Sequence, residues 1–300
     1  MVLTRAGVLA ALQSEAVQDM RKLIDEALTG NVISVKALRT LAGKLSNAAR
    51  LLTTWRPFLA ELWAALHADP SRAPPKTVWT RQVQHSLRWF AAFLGGQSLS
   101  IMRPFLWEAF ELPANRTVFT VDASPFGFGA VLTVNGEITE YLTDQLTDYD
   151  CKFLGVAWGK SDSQQVMEAL GMVVALRTWK KAWQHWRSVV AVRGDNVTML
   201  TMVARLKGCT PALSLLAREL ALEVARAAYR PIVAEHIPGV ANVAADALSR
   251  LHDPSGAYRL PAELVAVKRV MVDERHGEWY ETLHGPPGGP GIGASGAAWV

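Results

Sequence analysis

The chain has 300 residues, half of them apolar, with a formal charge of +4 and a pI near 9.1. Its two cysteines, Cys151 and Cys209, exclude a disulfide framework and a cysteine-built zinc site. The mildly basic balance fits a polyanionic partner without requiring one. No apolar run approaches the roughly 18 residues that cross a bilayer, and Met1 to Ala10 lacks the apolar core of a secretory signal. The expectation is an intracellular protein, cytoplasmic or nuclear, that does not touch a membrane.

In chain order, Leu9, Leu12, Val17, Met20, Leu23, Ile24 and Leu28 predict a helix over 8–28 that stops at Gly30-Asn31. Ser34 is a suitable N-cap for a second helix through Leu38, Leu41, Leu45 and Ala48. Pro57 sits in the first turn of a third, which runs through Leu62, Trp63 and Leu66. Pro70, Pro74 and Pro75 mark a loop, and 78–94 predicts a helix ended by Gly95-Gly96. Pro104 and Pro113 flank a short piece with Phe105, Trp107 and Phe110.

After Asn115 the period changes. Residues 118–123, 127–134 and 137–142 read as strands, with Asn135-Gly136 as a two-residue hairpin turn. A helix then runs from Ser161-Asp162-Ser163 to about Trp186, followed by a strand at 189–192. Thr210-Pro211 opens a helix with Leu213, Leu216, Leu220 and Val224 on one face. Pro231 to Ile237 is a fifth strand, set at an edge by its proline, and a last helix begins near Asn242. The order β-β-β-α-β-α-β-α predicts a mixed α/β sheet covered by helices, with the fourth strand beside the first. The Gly/Pro-rich stretch after His284 predicts disorder.

Four acids stand in apolar surroundings: Asp122 in a strand, Glu168 alone among apolar helical residues, Asp195 just past the fourth strand, and Asp246 at the start of the last helix. A buried carboxylate is costly unless it is paired or binds a cation, so four of them point to a shared metal site. Oxygen ligands suit Mg²⁺, with Mn²⁺ as the alternative. Two such ions clamp an in-line phosphoryl displacement.

Four segments, 120–132 around Asp122, 168–176 from Glu168, Gly194-Asp195-Asn196, and 237–250 ending Ala245-Asp246-Ala247-Leu248-Ser249-Arg250, resemble the ribonuclease H domain of retrotransposon reverse transcriptases, of the LTR or tyrosine-recombinase type. The stretch 38–66 resembles the thumb or connection that precedes that domain, and no Tyr-x-Asp-Asp-like polymerase motif occurs upstream. The resemblance implies a ribonuclease H-like sheet of five strands, three antiparallel and then alternating α and β, preceded by a helical segment. It implies a thumb-like part at 1–66, a connection at 67–115, the ribonuclease H-like domain at 116–252 and an extension at 253–300, largely disordered after about 280. It further implies an endonuclease that cuts the RNA strand of an RNA–DNA hybrid, as a piece of a larger polyprotein or a decayed copy, with the polymerase part as a partner. Asp122, Glu168, Asp195 and Asp246 would be the catalytic metal ligands; Ala123, Ser124, Asn196 and Arg250 would touch substrate. His236 should lie on the fifth strand and has no assigned role.

Blander readings stand beside these. Asp246 could pair with Arg250 one turn on, Asp195-Asn196 could be a turn, and Asp122 could cap one. Glu219 and Glu223 read as a solvated helix face beside Arg218 and Arg226. Trp179, Trp183 and Trp186 with Arg177, Lys180, Lys181 and Arg187 read either as packing or as a nucleic-acid surface. At the level of the whole chain the alternatives are an inactive nucleic-acid-binding scaffold and a related phosphotransferase such as an integrase.

Overall fold

A computed structural model describes residues 2–68, 73–110, 115–184, 188–227 and 232–287. The chain divides into two compact units, one of Leu9–Arg103 with the residues from Tyr280 on, the other of Val2–Val8 with Pro104–Trp279. Elements through the first hundred residues are β1 (Val2–Thr4), β2 (Gly7–Ala11), α1 (Ser14–Thr29), β3 (Val32–Ser34), α2 (Val35–Leu51), α3 (Arg56–His67), β4 (Thr77–Trp79), α4 (Gln84–Leu94) and β5 (Met102–Leu106).

The first helix begins six residues later than its apolar spacing predicts. Gly7–Ala11 contains no polar residue to define a helix face, and strand pairing takes it instead: a Cβ on Gly7 would lie 2.1 Å from the Phe105 carbonyl oxygen. Likewise 78–94 gives up its first residues to β4, which pairs antiparallel with the β-branched Val32 and Ile33 of β3. Ser34 does cap α2, its hydroxyl accepting from the Ala37 amide at 3.1 Å, and Pro57 does open α3. Trp55, Phe58, Trp89, Phe90 and Phe93 form the aromatic core of this unit, with ring centroids 5.0–6.4 Å apart. Each such pair is worth about 0.5–1.5 kcal/mol beyond its buried area.

The second unit contains β6 (Asn115–Ser124), β7 (Gly127–Val134), β8 (Glu137–Asp144), α5 (Asp148–Leu154), α6 (Gln164–Thr178), α7 (Lys180–Trp183), β9 (Ser188–Gly194), α8 (Val197–Arg205), α9 (Pro211–Ala227), β10 (Val233–His236), α10 (Val243–Ser249) and β11 (Lys268–Arg269); α11 (Glu281–His284) follows. One six-stranded mixed sheet runs β10-β9-β6-β7-β8-β11. β6, β7 and β8 are antiparallel neighbours, β9 and β10 run parallel to β6, and β11 pairs parallel with β8. This is the mixed α/β, ribonuclease H-like fold that the sequence implied, with a two-residue sixth strand added. Asn135 and Gly136 turn the β7–β8 hairpin with φ of 52° and 94°, the positive pair that a tight hairpin turn requires. β10 closes one edge as expected and His236 ends it; Pro231, from which that placement was read, lies outside the described residues, as do Pro70, Pro113, Trp186, Arg187 and the tail from residue 288.

Two helices of the second unit were not foreseen, nor was the four-residue α11 in the stretch expected to be largely disordered. α5 is held by a capping box between Thr147 and Asp150, and α8 by Asn196, whose side-chain oxygen accepts from the Thr198 and Met199 amides. The long helix expected to reach Trp186 ends at Thr178 instead. The Trp183 ring is buried, its Nε1 donating 2.7 Å to the Leu176 carbonyl.

The solvated reading of Glu219 and Glu223 is overturned. Both are buried against α6, where Arg177 donates to Glu219 (2.7 Å) and Glu223 (3.1 Å) and Lys180 to Glu223 (2.9 Å). Their cations come from the neighbouring α6 and α7, which the sequence of α9 alone does not display. Arg177 also donates to the Trp279 carbonyl and lies 4.2 Å over its ring. Arg177 and Lys180 are therefore engaged by ion pairs to α9, Trp179 and Trp183 are core residues, and Lys181 alone of the described members of that group is fully exposed.

The segment after α10 belongs to the same unit. The Arg275 side chain is 1% exposed; it donates to Asp150 (3.0 Å), Asp144 and the Gln145 carbonyl and lies 5.1 Å over Phe128. Arg275→Met keeps the bulk but removes a buried cation from beside Asp150 and Asp144. The expected loss is about 3–5 kcal/mol, read from the urea midpoint of the full chain; an unshifted midpoint contradicts this role.

Candidate metal centre

The β6–β9 ladder places two of the four acids. Its last parallel partners are Thr120 and Arg193, so Asp122 and Asp195, each two residues further on, leave adjacent strands side by side. Glu168 reaches them from the second turn of α6. That helix sits close on the sheet because Gly171 lacks a side chain: a Cβ there would meet the Phe128 Cβ at 2.9 Å. Gln164 fixes the start of α6 by donating to the Ala123 carbonyl at 3.1 Å.

One carboxylate oxygen from each of Asp122, Glu168 and Asp195 lies within 4.8 Å of the others. Asp122 and Glu168 are buried, while Asp195 is more open. Burial, then the charges of Glu168, Asp195 and Asp246, push the Asp122 carboxyl up to about 8. Burial and Asp195 push Glu168 up to about 7, against hydrogen bonds from Asn196 and Gln164. Glu168 Oε2 is buried without a hydrogen-bond partner. Carboxylates this close, with one oxygen unused, suit a hard divalent cation, which supplies the positive charge that the group lacks.

Asp246 stands outside that group. Its Oδ1 accepts from Arg250 Nε at 2.8 Å and Nη2 at 2.7 Å, so the helical pairing weighed as the bland reading is present. α10 nevertheless lies close on the sheet, since a Cβ on Gly129 would be 2.3 Å from the Leu248 Cβ. Asp246 is near enough for its charge to act on Asp122.

The residues expected at the substrate have other partners here. Ala123 and Ser124 are 2% and 3% exposed; the Ala123 carbonyl accepts from Gln164 and the Ser124 hydroxyl donates to the Ser249 carbonyl at 2.7 Å. They fix the end of β6. Asn196 caps α8 with its oxygen and presents its amide to Glu168. Two positioning residues were missed: Gln164, and Asn242, which is buried and donates to the Val121 carbonyl at 3.1 Å, tying the start of α10 to β6. Asn242 lies in the motif itself, as the asparagine before Val243, so its place was visible though its role was not. Gly239 packs on Asp195, where a Cβ would be 2.9 Å from Oδ2.

No family model matches the sequence, and no curated protein matches it. Among solved structures, ribonuclease H1 of the halophilic archaeon Halobacterium salinarum aligns with 46% of this chain and 96% of its own, at 19% identity and a TM-score of 0.33. An N-terminal RNase H domain from Mycobacterium tuberculosis aligns with 44% of this chain and 95% of its own, at 21% identity and a TM-score of 0.30. A foamy viral protease-reverse transcriptase, solved in complex with double-stranded DNA, aligns with 76% of this chain, which spans 35% of that protein, at 15% identity and a TM-score of 0.27. The fold assignment rests on strand order and direction. No helix among the described residues is long and apolar enough to cross a membrane.

The raised Asp122 carboxyl makes metal-free stability depend on pH. Between about pH 4 and pH 8 the folded state keeps a proton that the unfolded state has released, so stability falls as pH rises through that window and levels above it. Asp122→Asn should therefore raise the metal-free melting temperature at pH 8 by at least about 3 °C, with the gain vanishing near pH 4. Mg²⁺ should stabilise the wild type at pH 8 and release protons on binding. A flat pH profile in the wild type contradicts the assignment.

Proposed function

We propose that residues 116–252 are a divalent-metal-dependent nuclease domain that hydrolyses the RNA strand of an RNA–DNA hybrid. The observation that carries the reading is the meeting of Asp122, Glu168 and Asp195, from β6, α6 and the end of β9, with one buried oxygen left unpartnered. Those three would hold the first cation, and Asp246 would complete the set for a second. Bound Mg²⁺ supplies activation of the attacking water and stabilisation of the leaving oxygen. Asp122 and Asp195 would offer their carboxylates to the cation from two adjacent strands, and Glu168 would do so from the helix side. Asn196 orients Glu168 while its backbone begins α8. The hybrid would be told from a DNA duplex by its 2′-hydroxyls. The unit at Leu9–Arg103 would be the thumb or connection of a retroelement reverse transcriptase whose polymerase part lies elsewhere.

One observation favours a second reading, an inactive nucleic-acid-binding domain on the same fold: Arg250 occupies Asp246. A labelled hybrid separates the two. Under the nuclease reading the wild type with Mg²⁺ cuts the RNA strand and spares a DNA duplex. Asp122→Asn and Asp195→Asn should each reduce the rate by more than the roughly 10–100-fold typical of losing an outer-shell partner of a metal ligand. Hybrid binding without cleavage by folded wild type supports the second reading, and equal rates in wild type and both variants remove the metal centre from the reaction.

A further inference from the structure

Asp246 shares the neighbourhood of the three-acid group without joining it. Both nitrogens that Arg250 offers converge on one oxygen of Asp246, at 2.8 and 2.7 Å, and the guanidinium also lies 5.5 Å from the Tyr258 ring centroid. The backbone that carries the pair is firmly placed. Ser249 Oγ donates to the Asp246 carbonyl, Asn242 ties the helix start to β6, and Gly129 lets Leu248 press on the sheet. A change of partner by Asp246 therefore needs rotation of its side chain, not movement of α10. Both side chains are partly exposed, at 41% and 42%. An exposed pair of this kind is worth only about 0–1 kcal/mol net, so a divalent cation on the neighbouring acids can outbid it for the carboxylate.

We propose that Arg250 is a positioning residue that holds Asp246 off the three-acid group in the nucleic-acid-free protein, so that the fourth carboxylate reaches a bound cation only by leaving Arg250. The inference rests on the metal-site reading above and adds a competition within it: cation affinity is set by the Arg250–Asp246 pair as well as by the acids that bind first.

The test is Mg²⁺ titration of the full chain by calorimetry, without nucleic acid, checked against the Mg²⁺-induced rise in melting temperature. Arg250→Gln should bind Mg²⁺ up to about fivefold more tightly than wild type, the ratio that release from a pair worth at most about 1 kcal/mol allows. Arg250→Lys, which keeps the charge, should stay near wild type. The gain must depend on Asp246: introduced into an Asp246→Asn chain, Arg250→Gln should recover less than about a third of it, by the logic of a double-mutant cycle. An equal gain in both backgrounds means that Arg250 acts only as a nearby positive charge and overturns the inference. So does unchanged or weaker binding by Arg250→Gln. If Asp195→Asn abolishes Mg²⁺ binding while Arg250→Gln changes nothing, this inference alone fails. If the wild type shows no binding that Asp195→Asn can remove, the metal-site reading fails with it.

Discussion

Three carboxylate oxygens within 4.8 Å of one another repel by roughly 3–4 kcal/mol per ionised pair at the effective dielectric of a protein interior near its surface. Such a group does not assemble by its own attractions. It is held because each acid is carried by an element whose position other contacts have fixed. The β6–β9 ladder sets Asp122 beside Asp195, the Gly171–Phe128 contact sets the depth of α6 and hence of Glu168, and Gln164 ties that helix to β6 beside Asp122. Burial first, and that forced proximity after it, raise the carboxyls of Asp122 and Glu168, and a cation relieves both.

Small residues do much of the placement. Gly129 of β7 faces α10 and Gly171 of α6 faces Phe128 of β7, and each admits a side chain or backbone atom to within 3 Å of where a Cβ would sit. Any larger residue at either position moves a helix that carries an acid. The apolar filling around the group follows from these approaches: Phe128 under Gly171, Leu248 over Gly129.

The parts legible in the sequence were those with a strong local signal. Asn135-Gly136 fixed a hairpin, the apolar stretches on either side of it read as strands, and flanking motifs picked four acids from many. What was hidden depended on partners distant in sequence. Gly7–Ala11 is a strand because of Phe105, and Glu219 and Glu223 are buried where α6 and α7 bring Arg177 and Lys180 to them. α8 is short, and its cap, Asn196, had been read for substrate rather than for helix. β11 has two residues, too few for any periodicity, and owes its pairing to β8. Asp246 shows both levels at once: the motif located it near the site, and helical spacing alone told of Arg250.

The buried acids of the second unit fall into two kinds, and the difference argues for function more directly than the motif does. Asp150 has Arg275, while Glu219 and Glu223 have Arg177 and Lys180; these groups are neutralised inside the protein, as structure demands of a buried charge. Asp122 and Glu168 have other acids as neighbours, and Glu168 keeps an unpartnered oxygen. A chain that supplies an arginine for Asp150, from more than a hundred residues away in sequence, has the means to neutralise a carboxylate where only stability is at stake. At Asp122, Glu168 and Asp195 it instead gathers three acids where β6 and β9 run side by side. The two regions are mechanically joined, since Arg275 lies over the Phe128 that supports α6 beneath Glu168. Charge that is cancelled in one place holds steady the charge that is left uncancelled in the other.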